Sequence, residues 1–242
     1  MTKIEYVDET WNPVTGCSWV SAGCDNCYAR RLAKRFGWDF TPRAHPERLE
    51  QPLHWKKPRR ILVPSMGDLF HPDIPPQFIR DVWHVMQEAD WHIFFVLTKR
   101  PAVAFNLVER GTICPEEGDI IYPLPNLFLG VTVENQDAVA RLVWIPVMQT
   151  WVSAEPLLGP VSFDLSDVEW VVVGGESGPG ARPMKLEWAQ QIVNDCREAG
   201  VPVFVKQLGN VLAKELGLKS HKGNDPAEWP ESLRVRELPV KE

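Results

Sequence analysis

Three of the five cysteines fall within eleven positions, in the segment Thr10-Trp-Asn-Pro-Val-Thr-Gly-Cys17-Ser-Trp-Val-Ser-Ala-Gly-Cys24-Asp-Asn-Cys27-Tyr28. Their pattern is Cys-x6-Cys-x2-Cys. Gly16 and Gly23 each precede a cysteine, where a residue without Cβ lets a loop turn thiolates toward one point. Three converging thiolates with no fourth cysteine nearby predict an iron–sulfur cluster with one iron left open. A closed zinc site would want a fourth Cys or His, and the nearest histidine is His45, outside the loop. Zinc with a distant fourth ligand, a buried apolar trio, and a disulfide plus one thiol are the competing readings. The disulfide would require an oxidising compartment, which nothing in the sequence signals.

The chain has 242 residues, 44% of them hydrophobic and 24% charged, enough for one α/β domain or two small ones with a sizeable core. No apolar run approaches the length of a membrane-spanning helix. The acidic start, Met-Thr-Lys-Ile-Glu-Tyr-Val-Asp-Glu, lacks the apolar centre of a signal peptide, so a cytoplasmic location is expected. A net charge of −6 argues against a protein that coats nucleic acid nonspecifically, but leaves room for a local basic groove. Most of the eleven tryptophans are expected to anchor the core or loops.

The elements that must position the cysteines follow from apolar periodicity. Tyr28 to Phe36 predicts a helix stopped by Gly37, with Arg30, Arg31, Lys34 and Arg35 as a basic face that either meets solvent or contacts an anion. Residues 38–58, with four prolines, read as a loop. Apolar strands then alternate with helices: strand Arg60–Asp68, helix Pro76–Ala89, strand His92–Arg100 and a helix through Glu109. After an irregular insert at Gly111–Pro125 come strand Asn126–Asn135, a short helix at 136–145 and strand Gln149–Pro156. Strand Val168–Ser177, helix Leu186–Ala199 and strand Val201–Gln207 complete the series. Near-continuous apolar strands alternating with helices imply a parallel sheet buried on both faces. With a first strand before Cys17, the fold class expected is α/β, a partial or complete TIM-like (β/α) barrel of about six to seven parallel strands. Residues 1–208 would form the barrel and 209–242 a tail packing on it.

Each strand ends in polar residues: Ser65 and Asp68, Lys99, Thr132 and Glu134, Ser153 and Glu155, Glu176, and Lys206 with Gln207. In a βα barrel these positions share the rim that carries active sites. Glu134, Glu155 and Glu176 alternatively suit a divalent metal. The run Gly174-Gly175-Glu176-Ser177-Gly178 allows close backbone approach to a ligand but lacks the Lys-Ser/Thr ending of a P-loop. Cys114 and Cys196 read as inert, and His71, His84 and His92 as structural or exposed side chains.

The cysteine segment, together with His45-Pro-Glu-Arg-Leu49, Ser65-Met-Gly-Asp-Leu-Phe-His71, Leu97-Thr-Lys-Arg-Pro101, Gly130-Val-Thr-Val-Glu-Asn-Gln136, Ser153-Ala-Glu-Pro-Leu-Leu-Gly-Pro160 and Gly174-Gly-Glu-Ser-Gly-Pro-Gly-Ala-Arg-Pro183, resembles a known family. It is the phage-associated Gp37/Gp68-like family, a domain of unknown function that looks like a distant branch of the radical S-adenosylmethionine (SAM) enzymes, related to spore photoproduct lyase. The resemblance implies a [4Fe-4S] cluster on Cys17, Cys24 and Cys27, with SAM on the open iron. Tyr28 would be a cofactor-binding residue, and Ser65 and Asp68 would lie toward the methionine end of SAM. Thr132, Glu134, Ser153 and Glu155 would lie nearer its ribose, and Gly174, Gly175 and Glu176 against its adenine. The interval of six residues between Cys17 and Cys24 departs from the usual three, and Asn26 stands where an aromatic residue is common.

The expected function is therefore hydrogen abstraction from a substrate by a radical-SAM-type enzyme, with Lys99, Glu134 and Glu155 as catalytic candidates. Lys99, Arg100, Arg182 and Lys206 suit an anionic substrate such as a nucleotide or nucleic acid. The electron would come from a reductant protein such as a flavodoxin or ferredoxin. Two alternatives accompany this expectation: an iron–sulfur or zinc nucleic-acid-binding protein without SAM chemistry, and a hydrolase using a carboxylate-bound metal.

Overall fold

The computed structural model describes residues 4–111, 113, 124–142 and 149–239. The chain divides into two compact units. The first comprises Met1–Trp19, Cys27–Val131 and Val143–Gln149; the second comprises Val20–Asn26, Thr132–Leu142 and Thr150–Glu242.

In the first unit, strands β1 (Glu9–Thr10), β4 (Arg60–Val63), β5 (Ile93–Thr98) and β6 (Leu127–Thr132) follow one another in the order β1-β4-β5-β6, and each neighbour is parallel. The register aligns Glu9 with Ile61, Ile61 with Phe94, and Phe94 with Leu127. A side chain from either face of these strands meets protein, which is why the segments carry so little polar alternation. Helix α2 (Pro76–Glu88) turns Phe78, Ile79, Val82, Trp83 and Met86 into the core formed with Ile61, Val63, Phe94, Val96 and Leu129. Trp11 is fully buried, and its indole N–H donates to the Arg48 carbonyl at 2.8 Å, so its one polar atom is satisfied. His92 accepts from the Arg59 N–H at Nδ1 (3.1 Å), which leaves Nε2 to donate to the Pro52 carbonyl at 3.1 Å. Burial, and then the charge of Arg59, hold its pKa below the usual histidine value, which suits a neutral structural residue.

In the second unit, β7 (Gln149–Ala154), β8 (Trp170–Gly174) and β9 (Val203–Gln207) are again parallel and in chain order, covered by helix α4 (Leu186–Ala199). The tail is tied to β9, with Val205 N–H donating to the Val235 carbonyl and Glu237 N–H to that of Val203, both at 3.0 Å. Arg236 lies over the rings of Phe204 and Trp229, at 5.3 and 5.2 Å, and donates to the Val205 and Lys206 carbonyls. This covers an edge that would otherwise offer unpaired backbone groups.

The expectation of an α/β fold with about six to seven parallel strands, in the strand order of a partial TIM-like barrel, holds. Helix boundaries also fall where expected: α1 spans Tyr28–Phe36, α2 stops one residue short of Ala89, α3 covers Pro101–Glu109, and α4 runs Leu186–Ala199. Strands are shorter than their apolar runs, because the last residues of each run leave the ladder to form the strand-end loops. The segment at 38–58 is more ordered than a loop. It contains β3 (Arg43–Ala44), antiparallel to β2 (Val14–Thr15), and two short 3-10 turns. A two-residue pairing leaves no period to detect. Cys114 and most of the expected insert lie outside the described residues, and the expected helix at 136–145 is a 3-10 helix over Gln136–Arg141.

The β2–β3 pair places the start of the cysteine loop. Gly16 donates to the Met66 carbonyl at 2.9 Å, and Cys17 N–H donates to that of Phe40 at 3.2 Å. Gly16 has φ +79°, and a Cβ there would sit 2.2 Å from the Thr41 carbonyl oxygen. Both the left-handed backbone and the contact with main chain exclude a larger residue. Gly16→Ala should therefore destabilise the protein by about 3 kcal/mol. Chemical denaturation should show a lower midpoint at unchanged slope.

Candidate functional site

The polar residues after the strands gather into separate clusters within each unit. In the first unit the centre is Asp68, buried at 4% exposure although it carries a carboxylate. Oδ1 accepts from Thr98 Oγ1 (2.7 Å) and Phe70 N–H (3.1 Å), and Oδ2 accepts from Arg100 Nη1 (3.0 Å) and Lys99 N–H (3.2 Å). Four donors satisfy the two oxygens, so this charge is held rather than exposed. The same Arg100 Nη1 lies 3.3 Å from Cys17 Sγ, while Nη2 donates to Ser18 Oγ at 2.8 Å and to the Ser18 carbonyl at 3.2 Å. Burial opposes the charge on Arg100, but Asp68 and Cys17 together raise its pKa above the ordinary arginine value. The guanidinium is thus a fixed cation beside the first thiol of the loop.

His71 completes this cluster. Asp73 N–H donates to Nδ1 at 3.2 Å, which assigns the proton to Nε2, 2.7 Å from Ser18 Oγ. Burial, followed by the Arg100 charge, lowers the His71 pKa, so the neutral form prevails. Asn12 fixes the neighbouring turn: its Oδ1 accepts from the Ser65 and Met66 N–H groups, each at 2.8 Å. Tyr28, at the first turn of α1, donates its hydroxyl to the Ser65 carbonyl.

In the second unit, Glu134, Glu155 and Glu176 each face a cation. Glu134, with no exposed surface, pairs with Arg141 at 2.6 Å and accepts from the Ser21 hydroxyl. Glu155 accepts from Lys206 Nζ at 2.7 and 2.8 Å and from Gln207 at 3.3 Å. Glu176 receives Arg182 at both oxygens, 2.6 and 3.0 Å, the Arg182 N–H at 2.8 Å, and Asn26 at 3.0 Å. Burial pushes the Glu176 carboxyl up, but the Arg182 and Asn26 hydrogen bonds outweigh it and leave its pKa below the ordinary 4.5. Asn26, inside the cysteine loop, also donates to the Gly180 carbonyl at 2.8 Å.

The remaining expected residues are placed as follows. Thr132 and Ser153 are buried, at 4% and 2% exposure, with their carbonyls accepting from Arg141 and Val133 N–H. Gly174 lies against the Glu155 side chain, and Gly175 against the Leu208–Gly209 backbone, so packing within the protein already explains both glycines. Cys17, Cys24 and Cys27 are half-buried, and among the described residues no disulfide joins them. Cys27 is the N-cap residue of α1. Among the described residues, no group of three or more His, Cys, Asp or Glu side chains is placed to hold a metal ion. Cys196 is buried on α4, and burial pushes its thiol up to about 12, as an inert core residue requires.

Asn12, Ser18, Asn26 and Arg141 carry these networks without having been singled out by chemistry in the sequence, whereas His71 has the structural hydrogen bonds expected of a loop histidine. The available signal was position. Asn12, Ser18 and Asn26 belong to the cysteine segment itself, and Arg141 ends the short helix that begins two residues after Glu134.

Strand order and parallel pairing define an α/β protein of the partial TIM-like barrel class. The chain belongs to the DUF5131 family: the family model described as "Protein of unknown function (DUF5131)" matches residues 1–232. Searches of the curated proteins and of the solved structures each found no match.

The Glu176–Arg182 pair gives a pH-dependent prediction. A carboxyl whose folded pKa lies below its unfolded value contributes stability above the unfolded pKa and loses it as pH falls through the folded one. Glu176→Gln should cost about 2 kcal/mol at pH 7. The difference from wild type should shrink once pH falls below 4.5, as followed by denaturation at a series of pH values.

Proposed function

We propose that this chain is a radical-SAM-type enzyme in which Cys17, Cys24 and Cys27 hold a [4Fe-4S] cluster with one open iron. The observation that carries this reading is the donor chemistry of the loop. It provides three unbridged, partly accessible thiols within eleven residues, one of them 3.3 Å from a guanidinium. Metal-ligating cysteine is the thiolate, and a fixed cation such as Arg100 favours that form at Cys17. By type and number, though not by their placement here, these donors suit an iron–sulfur cluster with one open iron, while a closed zinc site would need a fourth ligand.

The finer likeness to the Gp37/Gp68-like phage-associated family, and through it to radical SAM enzymes, rests on the sequence motifs. It supports SAM as the second cofactor. Cluster and SAM together supply one-electron chemistry that removes a hydrogen atom from a substrate. The chain's own residues have three tasks. Asp68 orients Arg100, and Arg100 holds the Cys17 sulfur. By the resemblance, Tyr28, Ser65, Asp68, Thr132, Glu134, Ser153, Glu155, Gly174, Gly175 and Glu176 are the residues that would hold SAM. Lys99, Glu134 and Glu155 are the catalytic candidates, and the cations at the strand ends suit an anionic substrate, a nucleotide or nucleic acid.

The carboxylate-metal hydrolase is the weaker reading. Each of the three glutamates already faces an arginine or lysine, which a divalent ion would have to displace. A flavodoxin or ferredoxin in the cytoplasm is the proposed electron donor. Among the described residues, no helix is long and apolar enough to cross a membrane.

The test is anaerobic reconstitution with iron and sulfide, followed by reduction in the presence of SAM. Wild type should turn brown and release 5′-deoxyadenosine. Cys24→Ala should lose both colour and product, and Arg100→Ala should lower cluster yield. Product formation that persists in Cys24→Ala, or a colourless wild type, refutes the proposal.

A further inference from the structure

We infer that α1 and the turn after it form a docking surface for single-stranded nucleic acid. This deepens the proposed function by naming a substrate class, and it rests on observations separate from the cysteines. Arg30 and Lys34, and Arg31 and Arg35, are spaced i, i+4, so the four cations form two adjacent rows on one side of the helix. Like charges at that spacing repel, and a protein of net charge −6 has no general need for them. Among the described residues, Arg30, Lys34 and Arg35 face no carboxylate in an ion pair. Arg30 instead donates to the Cys17 carbonyl at 3.3 Å and lies over the Phe40 ring, and Arg35 lies over the Phe36 ring. The neighbouring acid, Asp39, is occupied by the Thr41 N–H and hydroxyl, at 2.9 and 2.7 Å.

At the far end of the helix, about 13 Å from Cys27, sits an exposed aromatic pair. Phe36 and Trp38 are 55% and 58% exposed, and their rings stack at 5.0 Å with an interplanar angle of 24°. Gly37 makes this possible. With φ +67° it ends the helix in a left-handed residue, and Trp38 N–H returns to the Ala33 carbonyl at 2.9 Å. The result is a flat π surface joined to a row of cations that leads back to the cysteine loop. Those are the two components that bind single strands, stacking for bases and positive charge for phosphates. A lipid surface fits less well. The apolar side of α1, with Ala29 and Ala33, is already packed inside the protein, so the free face is cationic rather than insertable.

The experiment is fluorescence anisotropy of the full chain with a labelled oligothymidylate of about 15 nucleotides, without SAM or reductant. Binding should weaken with salt with a log–log slope near −2 for three phosphate contacts, about 0.7 per contact. Lys34→Gln combined with Arg35→Gln should reduce the slope to about −0.7. Trp38→Ala should weaken binding roughly 5- to 100-fold while leaving thermal stability near wild type. Absence of binding at low salt overturns the inference. So does binding indifferent to both variants, binding of duplex as tight as that of the single strand, or association with phosphatidylserine vesicles in place of the oligonucleotide. Because no cofactor is present, failure here leaves the 5′-deoxyadenosine assay to judge the cluster reading alone.

Discussion

A carboxylate that ends a buried strand must bring its counter-charge with it, and this chain meets that requirement repeatedly. Asp68 with Arg100, Glu134 with Arg141, Glu155 with Lys206 and Glu176 with Arg182 are the same device, built from different loops. An isolated buried charge is costly enough that removing either partner threatens local structure, whereas the intact pair adds little net stability. The pairs are therefore better understood as positioning devices. Asp68 shows this most clearly, because the arginine that it fixes reaches Cys17 and both polar groups of Ser18.

The sequence exposed the repetitive part of this arrangement and hid its wiring. Helices α1 and α4 were readable to the residue, because Gly37 and Gly200 mark their ends and the apolar spacing marks their faces. The strands were readable as apolar runs, and their polar ends as candidates for a site. The partners were not. Asp68 and Arg100 are separated by 32 positions, and Glu155 and Lys206 by 51. No local pattern connects residues that only the fold brings together. The β2–β3 pair was invisible for the opposite reason, being too short to impose any alternation.

The glycines illustrate how an expectation changes once packing is known. Gly174 and Gly175 invited a reading as a ligand cradle, yet a Cβ at Gly175 would meet the Leu208 carbonyl at 2.3 Å. Close approach is real, but the approaching group is the protein's own backbone. Gly16 has a comparable constraint at the entry to the cysteine loop, where it bears directly on where Cys17 begins.

The account turns on whether the loop around Cys17, Cys24 and Cys27 takes an iron–sulfur cluster with one iron open to SAM. Electron paramagnetic resonance of the reconstituted, reduced full chain, recorded with and without SAM, addresses that point most directly. The account predicts a [4Fe-4S] signal whose shape changes when SAM is added. A cluster signal indifferent to SAM, or a protein that takes up zinc and gives no signal, would contradict it.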